Sequence, residues 1–566
     1  NEKKRILLNN IHGVDVDPQA VEVTKLSLLL KVVEDPGQLK MFEEGHILPD
    51  LGNNIKCGNS LIGMDYFEGQ LMTDLAEVAR VNPFGWENAF PAVFKRGATS
   101  TGSGQGFDAV IGNPPYIRIQ AMQEWASEQV AFYKKAYKAA GKGNYDIYVV
   151  FVEKGLSLLN AKGRLGFILP HKFFNAQYGE AARGLIAKGK NLANIVHFSD
   201  QQVFDGATTY TCLLFLDKAG HDEFEFVKVS DLKEWRASQT SEVSGMIKAA
   251  SVTPAEWNFT VGKSAGLFEK LSQMPKKLGD IAYIFVGLQT SADTVFLFKD
   301  TQQNNLSKIK VRSKELDQVI EIETGLLKPV VRSGEIGRYW ANPSALVLFP
   351  YETKNLKSKL KTENDIKRDF PDTWNYLVSN KKLLSEREHG KFKDIGWYQL
   401  YPKNLDTWEQ PKIMLPYMIT RLSAFYDENN YYFVNVTTGG FGVTTDEQFG
   451  SQKYITGLLN SKLLDWFMRQ VSTSFHGGYF AANKQFLVQL PIRTINFSDP
   501  AEKAKHDQMV TLVERMLALH KNLASAKTPQ EKESVQRQIQ STDGGIDKLV
   551  YELYGLTEEE IGIVEG

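Results

Sequence analysis

Cysteine is nearly absent from this sequence. The two in 566 residues, Cys57 and Cys212, cannot build a disulfide framework, which excludes a small secreted scaffold and fits a reducing compartment. No uncharged apolar run approaches the ~18 residues that a membrane span needs, and the opening NEKKRILLNNIHGVDVD holds no signal-peptide core. Net charge is also missing. Lys+Arg number 66 against 67 Asp+Glu, so a globally basic nucleic-acid binder is excluded, although a local basic face is not. The nine His and two Cys show no metal-ligand spacing; no metal is expected, and His171 and His476 read as structural or DNA-contacting. There is no internal repeat. With 42% hydrophobic and 23% charged residues, the expectation is a globular cytoplasmic protein of two or three domains.

What is present first is an alternation of short apolar strands with helices. Ile11–Val16 reads as a strand, after which Asp17 and Pro18 supply an N-cap and a first helical residue. The helix AVEVTKLSLLLKVVE then runs to Asp35-Pro36-Gly37. Strand-like runs follow at NNIKCGN, FDAVIGN, RLGFILP, NIVHFS and TCLLFLD, with helices expected over 122–140, 147–159 and 180–188. This pattern predicts a mostly parallel, doubly wound α/β sheet over residues 1–217. Residues 218–275 are mixed and polar and read as a connection. From 276 to 495, aromatic-rich runs (YIFVGLQT, TVFLF, ALVLFP, KIMLPYM, YYFVNV) predict a separate α+β region. Its stretch 301–400 holds 18 Lys+Arg against 13 Asp+Glu, either a DNA-facing surface or simply a solvated one. Residues 496–566 read as a charged helical tail.

The segment that carries chemistry is FDAVIGNPPYIR, residues 107–118. An apolar strand runs into Gly112-Asn113-Pro114-Pro115-Tyr116, where two prolines fix the backbone and remove two donors, leaving carbonyl acceptors. The Asn113 side-chain oxygen, the Pro114 carbonyl and the Tyr116 ring together suit the exocyclic amino group of a planar base. The plain alternative is a polar turn with a core tyrosine. The carboxyl end of a sheet strand, where α/β proteins bind ligands, favours the receptor.

This segment resembles motif IV of amino-methylating DNA methyltransferases, and the Asn-Pro-Pro-Tyr form is typical of those acting on adenine N6. GVDVDP at 13–18 resembles the acidic cofactor strand of that family, CGNSL at 57–61 its next motif, and residues 144–174 the two that follow NPPY. VFDGATTYTCLLFL at 203–216 is similar to the late motif that closes over the target base. YIFVGLQTSADTVF, LKPVVRSGEIGRYW, LLNSKLLDWF and GGYFAANKQFLVQLP resemble a TaqI-type specificity domain. With the IDKLVYELYGLTEEEI tail, the pattern is similar to the methylase-plus-specificity portion of type IIG restriction–modification enzymes.

The resemblance implies a Rossmann-like, S-adenosylmethionine-dependent methyltransferase sheet, incomplete at its N-terminus, then an α+β target-recognition domain and a helical C-terminal segment. It implies double-stranded DNA as partner, no membrane, and N6 methylation of a flipped adenine. Asn113 and Pro114 would accept from N6, and Tyr116 and Phe204 would stack on the base. For the cofactor, Asp15 would accept from the ribose hydroxyls, Val16 and Phe151 would wall the adenine, Asn59 would read its amino group, and Asp146 would shape the pocket. Four of these have plainer alternatives: an N-terminal cap for Asp15, a helix cap for Asp146, and core packing for Phe151 and Phe204. The loop from Phe475 to Lys484 is either DNA-facing or packed on the core.

The family's glycine-rich loop, which holds the methionine half of the cofactor, precedes the acidic strand and does not occur in these 566 residues; GATSTGSGQG at 97–106 precedes a strand instead of following one. The expectation is therefore a chain that binds S-adenosylmethionine weakly by itself. Two alternatives accompany the methyltransferase reading. The chain is part of a bifunctional endonuclease whose nuclease lies upstream in the same polypeptide, or it is a recognition module inactive alone.

Overall fold

The computed structural model describes residues 2–33, 49–69, 74–94, 106–204, 206, 209–241, 243–299, 307–393, 396–435 and 439–566. The chain divides into two compact units, 1–262 and 263–566.

The first unit opens with helix α1 (Glu2–Asn10), which the sequence reading passed over, then strand β1 (Gly13–Asp15) and helix α2 (Pro18–Val33). Asp17 caps α2 as expected, accepting from the Gln19 N–H at 2.8 Å. The expected stop at Asp35-Pro36-Gly37 lies outside the described residues. β1 pairs in parallel with β2 (Ile55–Cys57), in the register Gly13↔Ile55 to Asp15↔Cys57.

Six further strands form the main sheet: β3 (Phe107–Gly112), β4 (Leu159–Pro170), β5 (Leu192–His197), β6 (Thr211–Asp217), β7 (Glu223–Lys228) and β8 (Val243–Lys248). Their order is β3-β4-β6-β5-β7-β8. Helix α3 (Tyr148–Leu158) leads into β4 and buries Val149, Val150, Val152 and Leu156 in a core shared with Leu165, Leu169, Ile195, Leu214 and Leu216.

Three expectations change here. The sheet is mixed: β3–β4 and β5–β7 are parallel, whereas β6 is antiparallel to both β4 and β5. The described residues between β5 and β6 hold no helix to carry a crossover, so the chain returns beside β5 in the opposite direction. Residues 218–275 are no mere connection, because β7 and β8 extend the sheet and the first unit runs to Gly262 instead of ending at 217. The helix expected over 122–140 is broken at Ala126 (φ −142°, ψ 45°) into Ile119–Trp125 and Ser127–Ala136.

In the second unit, β9 (Ala282–Val286), β10 (Lys412–Pro416), β11 (Phe425–Asp427) and β12 (Gly440–Thr445) form an antiparallel sheet ordered β11-β10-β12-β9. A three-stranded sheet joins Leu297–Lys299, Ala345–Leu348 and Leu327–Val330. YYFVNV, expected as a strand, contributes only isolated bridges from Tyr432 and Val434 among its described residues. The tail is helical as expected, with long helices at Pro500–Ser525 and Pro529–Tyr554. The first of these lies so close to Gln452–Leu459 that a Cβ on Gly457 would come within 2.5 Å of the Met509 sulfur. Lys412 and Asp427 form a fully buried ion pair at 2.6 Å; Lys412 also donates to the Trp408 carbonyl, and Asp427 also accepts from the Asn429 and Tyr431 N–H groups.

Candidate active site

β3 lies beside β4 in the register Gly112↔Phe167. A Cβ on Gly112 would stand 3.1 Å from the Phe167 ring, so a larger residue there would press on that ring. The next four residues leave the sheet as a fixed platform. Pro114 is buried, Asn113 is exposed, and no hydrogen bond to another described residue ties down the Asn113 side chain. Tyr116 is half-buried; its hydroxyl donates to the Ile168 carbonyl at 3.3 Å and its ring meets Tyr148 edge-on at 6.4 Å. Burial pushes the phenol up to about 12, so the ring is neutral at physiological pH.

The chain beyond Tyr116 is held from outside β3. The Ile119 N–H donates to the Tyr145 carbonyl and the Ile147 N–H to the Ile117 carbonyl, each at 2.9 Å. Asp146 sits in this bridge, opposite Arg118, and accepts from the Tyr178 hydroxyl at 2.8 Å. Tyr178 in turn lies 2.7 Å from the Tyr148 hydroxyl, whose ring touches Tyr116. Asp146 thus connects to the NPPY platform through two tyrosines that the sequence reading did not single out. Their signal was weak: Tyr148 on an apolar helix face looks like core, and Tyr178 lies in a short turn, Gln177–Gly179.

The candidate cofactor residues fall into two groups. The parallel pairing of β1 and β2 places Asp15 beside Cys57, two residues before Asn59, so Asp15, Val16 and Asn59 lie at one sheet end. Asp15 accepts from the Asp17 N–H at 2.8 Å through one oxygen and keeps the other. Val16 is 61% exposed. Asn59 accepts from the Leu61 N–H at 3.1 Å, which leaves its carbonyl one lone pair, and its amide also meets the Tyr133 hydroxyl. A carboxylate oxygen, an apolar surface and an amide at adjacent strand ends fit the hydroxyls, ring and edge of an adenosine. Phe151, on α3, is half-buried and packs on the main core. An aromatic cluster spans from β1 to β3, with His12 4.9 Å from Phe90 and 5.8 Å from Phe107.

Phe204 is half-buried, and no ring contact joins it to Tyr116 or to any other described residue. His171, just past β4, is half-buried, donates from Nε2 to the Ser199 carbonyl at 3.2 Å, and lies 4.1 Å from the His197 ring. Burial pushes it down to about 4. In the second unit, the tip His476–Tyr479 is exposed, but the Lys484 ammonium is spent on the Ile284 carbonyl at 2.9 Å. Among the described residues no group of three or more His, Cys, Asp or Glu could hold a metal, and no helix is long and apolar enough to cross a membrane.

Residues 9–204 match the Eco57I restriction-modification methylase family, and residues 359–492 match the TaqI-like C-terminal specificity domain. The chain joins a restriction–modification methylase domain to a specificity domain. Its methylase domain is of the S-adenosylmethionine-dependent class. Among curated relatives, the type II restriction enzyme and methyltransferase RM.Eco57I of Escherichia coli is 27% identical, over 100% of this chain and 56% of its own length. The type II methyltransferase M.BstVI of Geobacillus stearothermophilus is 22% identical, over 81% of this chain and 75% of its own. Among solved structures, the type IIL restriction-modification enzyme MmeI in complex with DNA aligns with a TM-score of 0.53 at 15% identity, covering 85% of this chain and 57% of its own. The chain therefore spans little more than half the length of RM.Eco57I and of MmeI. The methylase match contains the NPPY platform and every cofactor candidate named above.

Proposed function

We propose that this chain forms the methylating and DNA-recognising part of a restriction–modification enzyme that methylates adenine N6 within a specific duplex sequence. The observation that carries this reading is the unclaimed, exposed Asn113 side chain at the carboxyl end of β3, next to a buried proline and an anchored aromatic ring.

N6 of a paired adenine cannot line up with a methyl donor, so the base leaves the stack at a cost of a few kcal/mol. The Tyr116 ring recovers roughly 1–3 kcal/mol by stacking on it, and Phe204 covers its other side. N6 is a poor nucleophile because its lone pair is delocalised into the ring. Asn113 Oδ1 and the Pro114 carbonyl each accept a hydrogen bond from one N6 N–H, which turns the amino group out of the ring plane and localises that pair; once N6 carries the methyl group, one of these protons leaves to solvent. S-adenosylmethionine supplies an electrophilic methyl group when bound. Asp15, Val16 and Asn59 hold its adenosine half, with Phe151 and Asp146 on the side of the pocket built by α3. These residues contribute positioning and electrostatics; no covalent nucleophile is required. Residues 276–495 choose the sequence, and the protein works in the cytoplasm, where host DNA is.

The second reading, a bifunctional restriction enzyme, is favoured by one observation. RM.Eco57I is described as both restriction enzyme and methyltransferase, and this chain covers 56% of it.

The test is to incubate the full-length polypeptide with methyl-labelled S-adenosylmethionine and host-type DNA, then identify the labelled nucleoside by mass spectrometry. N6-methyl-2′-deoxyadenosine in one sequence context is expected. Label on cytosine, or no label at saturating cofactor, would refute the assignment.

A further inference from the structure

The second unit contains a polar cleft of about 550 Å³ that the methylation chemistry does not use. It is lined by Gln289, Ser291, Asp293, Glu388, Tyr401 and Asn435, from three segments far apart in sequence. We infer that this cleft reads base edges in the major groove of the target duplex, with Gln289 pairing with an adenine and Glu388 accepting from the amino group of a neighbouring base. This rests on the proposed role of the second unit in choosing DNA sequence.

The walls are built to hold side chains still. The Leu288 N–H donates to the Phe433 carbonyl at 2.9 Å, the Asn435 N–H to the Leu288 carbonyl at 3.0 Å, and the Tyr401 N–H to the Gln289 carbonyl at 2.9 Å. The buried Arg387 guanidinium donates to the carbonyls of Leu384, Thr290, Trp397 and Gln399 at 2.7–2.9 Å, pinning two of the segments together. Four non-glycine residues around the cleft hold left-handed backbone: Ser291 (φ 52°), Glu388 (φ 50°), His389 (φ 59°) and Asn435 (φ 63°). Such conformations persist only where the surroundings impose them.

Within this frame the hydrogen-bonding capacity is unevenly spent. Both Asp293 oxygens are engaged, one by the Thr290 hydroxyl and the other by Asn435 Nδ2 at 3.0 Å. Glu388 accepts from the Ser291 hydroxyl at 2.7 Å through Oε1, which leaves Oε2 for an outside donor. The half-buried Gln289 amide has no partner among the described residues, so it presents one donor and one acceptor side by side. That pair matches N7 and N6 of adenine in the major groove, and a carboxylate matches a cytosine amino group. The exposed Lys391 ammonium sits 4.4 Å from the ring centroid of Tyr401, which lines the cleft, so a phosphate there would meet positive charge.

The test is a binding selection from random-sequence duplexes on the full-length protein, which does not depend on methyl transfer. Wild type, Gln289→Ala and Glu388→Gln are compared after thermal melting confirms that each is folded. Wild type should enrich one motif. Gln289→Ala should lose discrimination at a single A·T position by about 10- to 100-fold, and Glu388→Gln should do so at an adjacent position. The same motif with undiminished discrimination in both variants, or no motif in wild type, would overturn the inference. Failure to methylate in the separate product assay would count against the methyltransferase reading and leave this result standing.

Discussion

The two units present their chemistry in opposite ways. In the first, two of the groups assigned to base and cofactor stand at strand ends in the open: Asn113 is exposed and Val16 is 61% exposed. In the second, the polar groups of interest sit in a cleft whose walls are tied by a buried guanidinium, next to a sheet that contains a fully buried ion pair. Exposed groups at strand ends can be replaced with little effect on the fold. A site assembled from distant segments depends on buried polar contacts, each expensive to break. Substitutions in the first unit should therefore act on rate, and those in the second on stability or sequence choice.

The largest effect that would break this comparison is at the ion pair. Asp427→Ala leaves Lys412 charged, buried and without its carboxylate, and should cost about 3–5 kcal/mol of stability. Denaturant unfolding followed by hydrogen exchange should show the loss confined to residues 263–566. A cost below ~1 kcal/mol, or equal loss of protection in both units, would contradict the contrast.

The same contrast explains what could be read in advance. FDAVIGNPPYIR was legible because strand, prolines and polar group are contiguous, and local sequence dictates their geometry. β7 was missed because EFEFVK alternates charge with phenylalanine. A linker and a strand with one solvated face look alike until the buried Phe224 and Phe226 are seen against the core. The mixed order of the sheet was not legible either, since where β6 inserts depends on tertiary packing. Asp146 was placed near the site, but its partner Tyr178 lies 32 residues away. Nothing in a one-dimensional pattern joins Gln289, Glu388 and Asn435.

A smaller effect sharpens the comparison from the other side. Burial pushes His171 down to about 4 from an ordinary 6.5. Between those values the unfolded chain binds a proton that the folded chain does not, so stability falls as pH drops from about 6.5 towards 4. The loss should reach about 3 kcal/mol and fall on the first unit. In His171→Phe, which removes the titrating ring, the acid slope should flatten. An unchanged slope in that variant would show that other groups govern acid unfolding.

The central claim is that Asn113 acts on the amino group in the transition state and is not needed for DNA binding or folding. The most direct measurement is single-turnover methylation and DNA affinity of Asn113→Ala beside wild type, in the full-length polypeptide. The rate should fall at least about a hundredfold, equivalent to ~2.7 kcal/mol, with the DNA Kd and the melting temperature nearly unchanged. More than about a tenth of the wild-type rate, or a loss of DNA affinity that matches the loss of rate, would contradict it.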